Sequence, residues 1–288
     1  MNAMNGIYGG LVAAALMFTG CGTFLGAVKD EKNSMELKAK LRDFKEGNPT
    51  SPEGTHPHFN QGKSSCEAHV LGIATVNSDL STAGAKDATF PGDERGPTLA
   101  ADLPADIARC FDPPDRFTDW FDDRGTEVNR PFYMAMKFVQ DDNTGFYQFR
   151  EERFFPLDQG EGFRKASAGG AEPFGNLQTG IKDDVDLATH DYGFTMEFHV
   201  LVTYHQGKGQ FLAMRGDDDL WAFVNGKRVM DLGGIHAAEQ DSVNLDSKAA
   251  DLGLRDGEKY PLDFFFAERA VASSKLSITT NLQFTPMK

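Results

Sequence analysis

Residues 215–236 read Arg-Gly-Asp-Asp-Asp-Leu-Trp-Ala-Phe-Val-Asn-Gly-Lys-Arg-Val-Met-Asp-Leu-Gly-Gly-Ile-His, and the fold is decided there. Three consecutive carboxylates, Asp217, Asp218 and Asp219, run into the strand-like segment Leu220 to Val224. Asn225-Gly226 is a dipeptide favoured in two-residue hairpin turns, where both central positions need positive φ. A second short strand then delivers Asp231 and His236. The stretch is a β-hairpin fed by an acidic loop. Adjacent carboxylates repel, so such a cluster needs a cation or strong solvation. That is the chemistry of a binding site more than of catalysis. Asp-rich turns also satisfy their own backbone amides, and both readings stand at this point.

The same pattern extends outward. Upstream, Phe194 to Tyr204 and Gln210 to Arg215 read as strands joined by the turn His205-Gln206-Gly207-Lys208-Gly209. Phe132 to Phe138 and Phe146 to Phe149 flank Asp141-Asp142-Asn143-Thr144-Gly145 as a hairpin. Downstream, Ser242 to Leu245, Tyr260 to Arg269 and Lys275 to Phe284 are strands, with a turn over Gly253 to Gly257. Leu37, Ala39 and Leu41 alternate with charged residues and predict an edge strand. Helical periodicity is scarce. The spacing predicts an all-β chain: an antiparallel β-sandwich of Greek-key type with long loop insertions.

Composition agrees. The 24 Phe and 30 Gly suit many short strands joined by tight turns. A net charge of −14 argues against nucleic acid, whose phosphates are met by Lys and Arg. It suits calcium-rich surroundings or a soluble, secreted surface.

The N-terminus reads as an address. Ile7 to Phe18 is mostly apolar and shorter than the roughly 20 residues a membrane span needs, as in a secretory signal over 1–20. Phe18-Thr19-Gly20-Cys21 resembles the cleavage box of bacterial lipoproteins. It predicts lipidation at Cys21, a tether over 21–34, and a bacterial cell-envelope protein anchored by lipid, in the outer membrane or at the cell surface. Cys66 and Cys110 are then left to pair as a disulfide in an oxidising compartment, or to remain two thiols. The folded domain is placed at 35–288, with an irregular insertion over about 77–104.

Other features have blander readings. His56 and His58 flank Pro57 with no third ligand nearby, which favours a structural role over a metal site. Phe117-Thr118-Asp119-Trp120-Phe121 is an aromatic knot that belongs to the core or faces carbohydrate. Glu268-Arg269 reads as a buried ion pair. Asp218, Glu197 and Glu268 are the carboxylates available to a glycan hydrolase, but no nucleophile or zinc-protease motif accompanies them, so an enzyme is not expected.

With these residues in view the chain resembles the fibro-slime domain family, within the lectin-like β-sandwich superfamily named after the anthrax protective antigen. The resemblance runs through Leu41-Arg42-Asp43-Phe44, His56-Pro57-His58-Phe59, Phe154-Phe155-Pro156-Leu157-Asp158 and Tyr192 to His199. It is strongest in Gly216 to Gly226, Asp231 to His236 and Tyr260 to Arg269. It implies a sandwich that binds carbohydrate or extracellular matrix, in adhesion or slime; the alternative is a structural slime or surface-layer component without a small ligand. It also implies calcium on the adjacent Asp217 and Asp218. Calcium takes six to eight oxygens, and Asn225 is available as a further ligand. Asp219, Trp221, Asp231 and His236 surround the site as ligand-binding candidates. Asp219 turns outward or braces the loop, Trp221 is a sugar platform or is buried, and Asp231 braces the loop or joins the site.

Overall fold

The computed structural model describes residues 33–45, 56–59, 74–76, 97–99, 111, 113–125, 127–158, 166–167, 173–174, 190–269 and 273–287. The signal and the tether as far as residue 32, with Cys21, Cys66 and Cys110, lie outside them. So does the 77–104 insertion, apart from Pro97–Leu99.

Fourteen strands are described: β1 (Ser34–Phe44), β2 (Ala74–Val76), β3 (Pro97–Leu99), β4 (Asn129–Gln140), β5 (Tyr147–Glu151), β6 (Ala166–Ser167), β7 (Phe194–Thr203), β8 (Phe211–Asp217), β9 (Asp219–Val224), β10 (Lys227–Leu232), β11 (Glu239–Asn244), β12 (Lys259–Glu268), β13 (Lys275–Thr280) and β14 (Phe284–Pro286). All their pairings are antiparallel. One path runs β10-β9-β12-β7-β1-β4-β5-β13-β8-β11, with β14 on β7 and β6 on β4. β4 and β5 pair only at Val139↔Gln148 and Gln140↔Tyr147. The path folds over at this narrow seam into two layers, a β10-β9-β12-β7-β1-β4 sheet and a β5-β13-β8-β11 sheet. β10 and β11 lie against each other at the far end. The all-β class and the antiparallel sandwich are as the sequence predicts.

Periodicity explains the layers. β4 buries Phe132, Met134, Met136 and Phe138 and turns Ala135 and Lys137 outward, and β13 buries Leu276 and Ile278. These faces line the inter-sheet core: Phe138 lies 5.8 Å from Phe149 of the other sheet and 5.4 Å from Phe284, and within one sheet Phe198 stacks on its cross-strand neighbour Phe264 at 4.6 Å. β9 and β12 break the alternation, as expected of strands buried on both faces. Leu220, Ala222, Val224, Leu262, Phe264 and Phe266 face the inter-sheet core. Trp221, Phe223, Phe265 and Ala267 face a second core with Phe44, Phe59, Phe111, Phe117, Trp120 and Phe121.

That second core sits under a covering segment built from the 3₁₀ turn Pro57–Phe59, Phe111 and the 3₁₀ helix Pro114–Phe121. The aromatic knot is therefore core. His56 and His58 are buried in it and structural. His58 Nδ1 accepts the Trp120 indole N–H at 2.9 Å, so its Nε2–H donates to the Pro113 carbonyl at 3.1 Å. His56 Nδ1 accepts the His58 N–H at 3.2 Å, and burial lowers the pKa of His56. Neutral rings used at both nitrogens have no lone pair left for a metal.

Three expectations need correction. β1 is not an edge strand: it lies between β4 and β7. Its charges are absorbed by partners, with Lys40 and Arg42 on Asp123 at 2.8 and 2.9 Å and Arg42 on Glu197 at 2.8 Å. A short helix, α1 (Leu245–Leu252), follows β11, where Asn244 caps it by accepting the Ser247 N–H and Gly253 ends it at φ 70°. The strand expected over Ser242 to Leu245 is instead Glu239–Asn244 running into that helix.

Candidate functional site

Asp217 ends β8 in one sheet, and Asp219 begins β9 in the other. Asp217 pairs in register with Lys275 on β13, and Asp219 with Ala267 on β12. The acidic run is therefore the corner at which the chain crosses between the sheets, not a loop on one of them. The Asp217–Asp218 peptide is cis.

Each carboxylate has different partners. Asp217 accepts the Lys275 N–H and, at 2.7 Å, the Ser273 hydroxyl. Asp218 accepts the Arg269 N–H at 2.9 Å and the His236 N–H at 3.3 Å. Asp219 takes the Arg269 guanidinium at two points, 2.7 and 3.1 Å, and the Gly234 N–H at 2.6 Å. Asp219 thus braces the corner and does not turn outward. The expected Glu268–Arg269 pair is replaced by Asp219–Arg269, because neighbours on one strand point to opposite faces.

Glu268 is the functional candidate that sequence reading misassigned. It is fully buried, and burial, then the charges of Asp218 and Asp217, push its carboxyl well above the usual range. Burial and the neighbouring Asp219 push Asp218 up to about 7. Burial also raises Asp217. Asp217, Asp218 and Glu268 form a buried acidic group whose nearest guanidinium is already engaged by Asp219. No sequence signal marks it; the β9–β12 register brings it there, Glu268 standing beside Ala267, the residue opposite Asp219.

The remaining candidates divide. His236 stays at the corner through its N–H. Its ring faces two carbonyls, Ala237 O and Leu232 O, both at 2.9 Å. Burial opposes charge on that ring, but the two carbonyls outweigh it and its pKa is raised. Both ring nitrogens are turned to these carbonyls and not to the acidic corner.

Asn225 is not brought to the corner. It lies in the β9–β10 turn at φ 52°, with Gly226 at 72°, and its side chain donates to Leu252 O at 2.7 Å. The whole of β9 separates it from Asp218, roughly 20 Å at 3.3 Å per residue. Trp221 is 0% exposed, and its indole N–H donates to Asp231 Oδ1 at 2.9 Å. The sugar-platform reading of Trp221 is therefore corrected to burial, and Asp231 is its brace. Glu197 lies elsewhere on the covered face with Arg42 and His199, so the three carboxylates weighed for hydrolysis do not share a site.

No protein-family model matches the chain. Among curated proteins it is 36% identical over 170 residues to Protein psiD of Dictyostelium discoideum, covering 59% of this chain and 29% of that protein. It is 33% identical over 195 residues to Protein psiQ of the same organism, covering 67% of this chain and 18% of that one. The chain thus spans less than a third of the length of these relatives. Among solved structures, the PA14 domain of the MpAFP antifreeze protein overlaps at TM-score 0.28 and 8% identity, over 50% of this chain and 71% of that one. Because the relatives are eukaryotic proteins, the expected placement as a lipid-anchored protein of a bacterial cell envelope is corrected.

Proposed function

We propose that the chain is a non-catalytic module that takes calcium at the Asp217–Asp218 corner and through it binds carbohydrate or extracellular matrix. The observation that carries this reading is the buried trio of Asp217, Asp218 and Glu268, with Arg269 spent on Asp219. Carboxylates crowded together in a buried site raise one another's pKa, and a proton or a cation relieves that repulsion. Hard oxygen donors favour calcium or magnesium over softer metals.

The donor set fits calcium in kind. Each carboxylate oxygen that accepts one hydrogen bond keeps a further lone pair. Among the described residues no three His, Cys, Asp or Glu side chains form a ready metal cage. Asp217 and Asp218 would hold the ion, with Glu268 beside them and backbone carbonyls and water completing the shell. When bound, the ion supplies Lewis-acid positions where vicinal sugar hydroxyls can replace water. The chain's own residues orient the acids: Ser273 and Lys275 hold Asp217, and Arg269 and His236 hold Asp218.

A glycan array probed with and without EDTA tests this reading. Binding that needs calcium supports it. Association between copies, or with matrix proteins, that survives chelator while no glycan is retained would replace it with the structural-component reading.

A further inference from the structure

Phe111 and Trp120 belong to the covering segment, yet both rings face the guanidinium of Arg269, 5.0 and 4.9 Å from its central carbon. That guanidinium grips Asp219 at two points, and the Arg269 N–H holds Asp218. Trp120 is itself fixed by its hydrogen bond to His58, which is tied to Pro113 O. A continuous chain of contacts therefore runs from the exposed Pro113 through the buried His58, Trp120, Arg269 and Asp219.

We infer that Arg269 is the positioning residue of the acidic corner, and that the covering segment sets it through Phe111 and Trp120. A planar guanidinium can hold a carboxylate with its edge and aromatic rings with its faces. The two interactions use different directions and together fix the orientation of the plane. Without the rings, the guanidinium is free to pivot about its stem, and the corner loses its fixed partner. Lysine, a point charge without a fork, reproduces neither contact. The segment laid over the outer face thus has a task beyond burying Trp221 and Phe265: it holds the acids in place from behind. Only the calcium part of this inference rests on the reading of the corner as a cation site.

Amide hydrogen exchange on the full chain without metal tests it directly. The probes are the N–H groups of Arg269, Gly234 and His236, which donate to Asp218 and Asp219, with Val202 and Ile278 as core references. Phe111→Leu keeps apolar volume but removes the ring, and should speed exchange at the three probe amides about tenfold while the references hold. Phe111→Tyr should restore protection, and Arg269→Lys should abolish it. Unchanged probe amides in Phe111→Leu would overturn the inference, and so would uniform acceleration at probes and references alike. Calcium titration of the same proteins is a separate reading. A wild-type chain that binds no calcium removes the cation site, while the exchange rates still decide the positioning role. Where calcium does bind, its affinity should fall about tenfold in Phe111→Leu, in step with exchange; an unchanged affinity would count against the inference.

Discussion

Asp219 and Arg269 meet in a two-point ion pair, Oδ2 to Nε at 2.7 Å and Oδ1 to Nη2 at 3.1 Å, with the side chains 0% and 1% exposed. Removing one partner strands a buried charge. Asp219→Ala should therefore cost about 3–5 kcal/mol in urea denaturation. The double substitution Asp219→Leu with Arg269→Met should recover much of that loss, because replacing both partners removes the stranded charge. Additive losses in the double variant would show that the pair matters for something other than charge compensation.

His199 makes stability depend on pH. Burial disfavours its charged ring, but bonds to Asp263 at 2.9 Å and Glu197 at 3.5 Å outweigh burial and raise its pKa from 6.5 to about 9. Arg42 stands behind Glu197 and holds that carboxyl below its usual value against the opposing effect of burial. The folded ring keeps its proton to a higher pH than the unfolded ring, so the stabilisation is complete below pH 6.5 and is lost as pH rises through about 9. The loss should be on the order of 3 kcal/mol. Denaturation midpoints from pH 6 to 10 check this, and His199→Gln should flatten the slope.

Trp221 is a core residue, not a ligand platform. Trp221→Phe should cost about 1–3 kcal/mol by leaving Asp231 short of a donor, and should leave any glycan binding unchanged in the folded fraction. Thermal melting paired with a binding assay separates the effects. Loss of binding without loss of stability would return Trp221 to the site.

Gly226 contributes to the Asn225–Gly226 turn through its backbone conformation, while the Asn225 side chain ties the turn to Leu252 O. Gly226 sits at φ 72°, so Gly226→Ala should cost about 1 kcal/mol, measured as a shift in denaturation midpoint. Because the turn lies a full strand away from the acidic corner, ligand affinity should not move.

Period-two alternation made β4 and β13 legible, and Asn-Gly made the β9–β10 turn legible. β1 was misread because Lys38, Lys40 and Arg42 look like the charges of an exposed edge, and only tertiary contacts show that Asp123 and Glu197 absorb two of them. Helix α1 escaped because a run of eight residues carries little periodicity and depends on its Asn244 cap and Gly253 end. At the site, Asp217 and Asp218 stood out as neighbours in sequence. Glu268 did not, because it reaches them through the β9–β12 register, and Asn225 seemed close only because the extended length of β9 was not counted. The partner of Arg269 was invisible for the same reason: neighbours along a strand diverge, while residues far apart in sequence converge.

Calcium titration into the wild-type chain and Asp218→Asn, read by calorimetry and by the melting temperature, tests the central claim most directly. The account predicts saturable binding and a calcium-dependent rise in melting temperature for the wild type, both lost in Asp218→Asn while it remains folded. No binding by the wild type, or equal binding by Asp218→Asn, would contradict it.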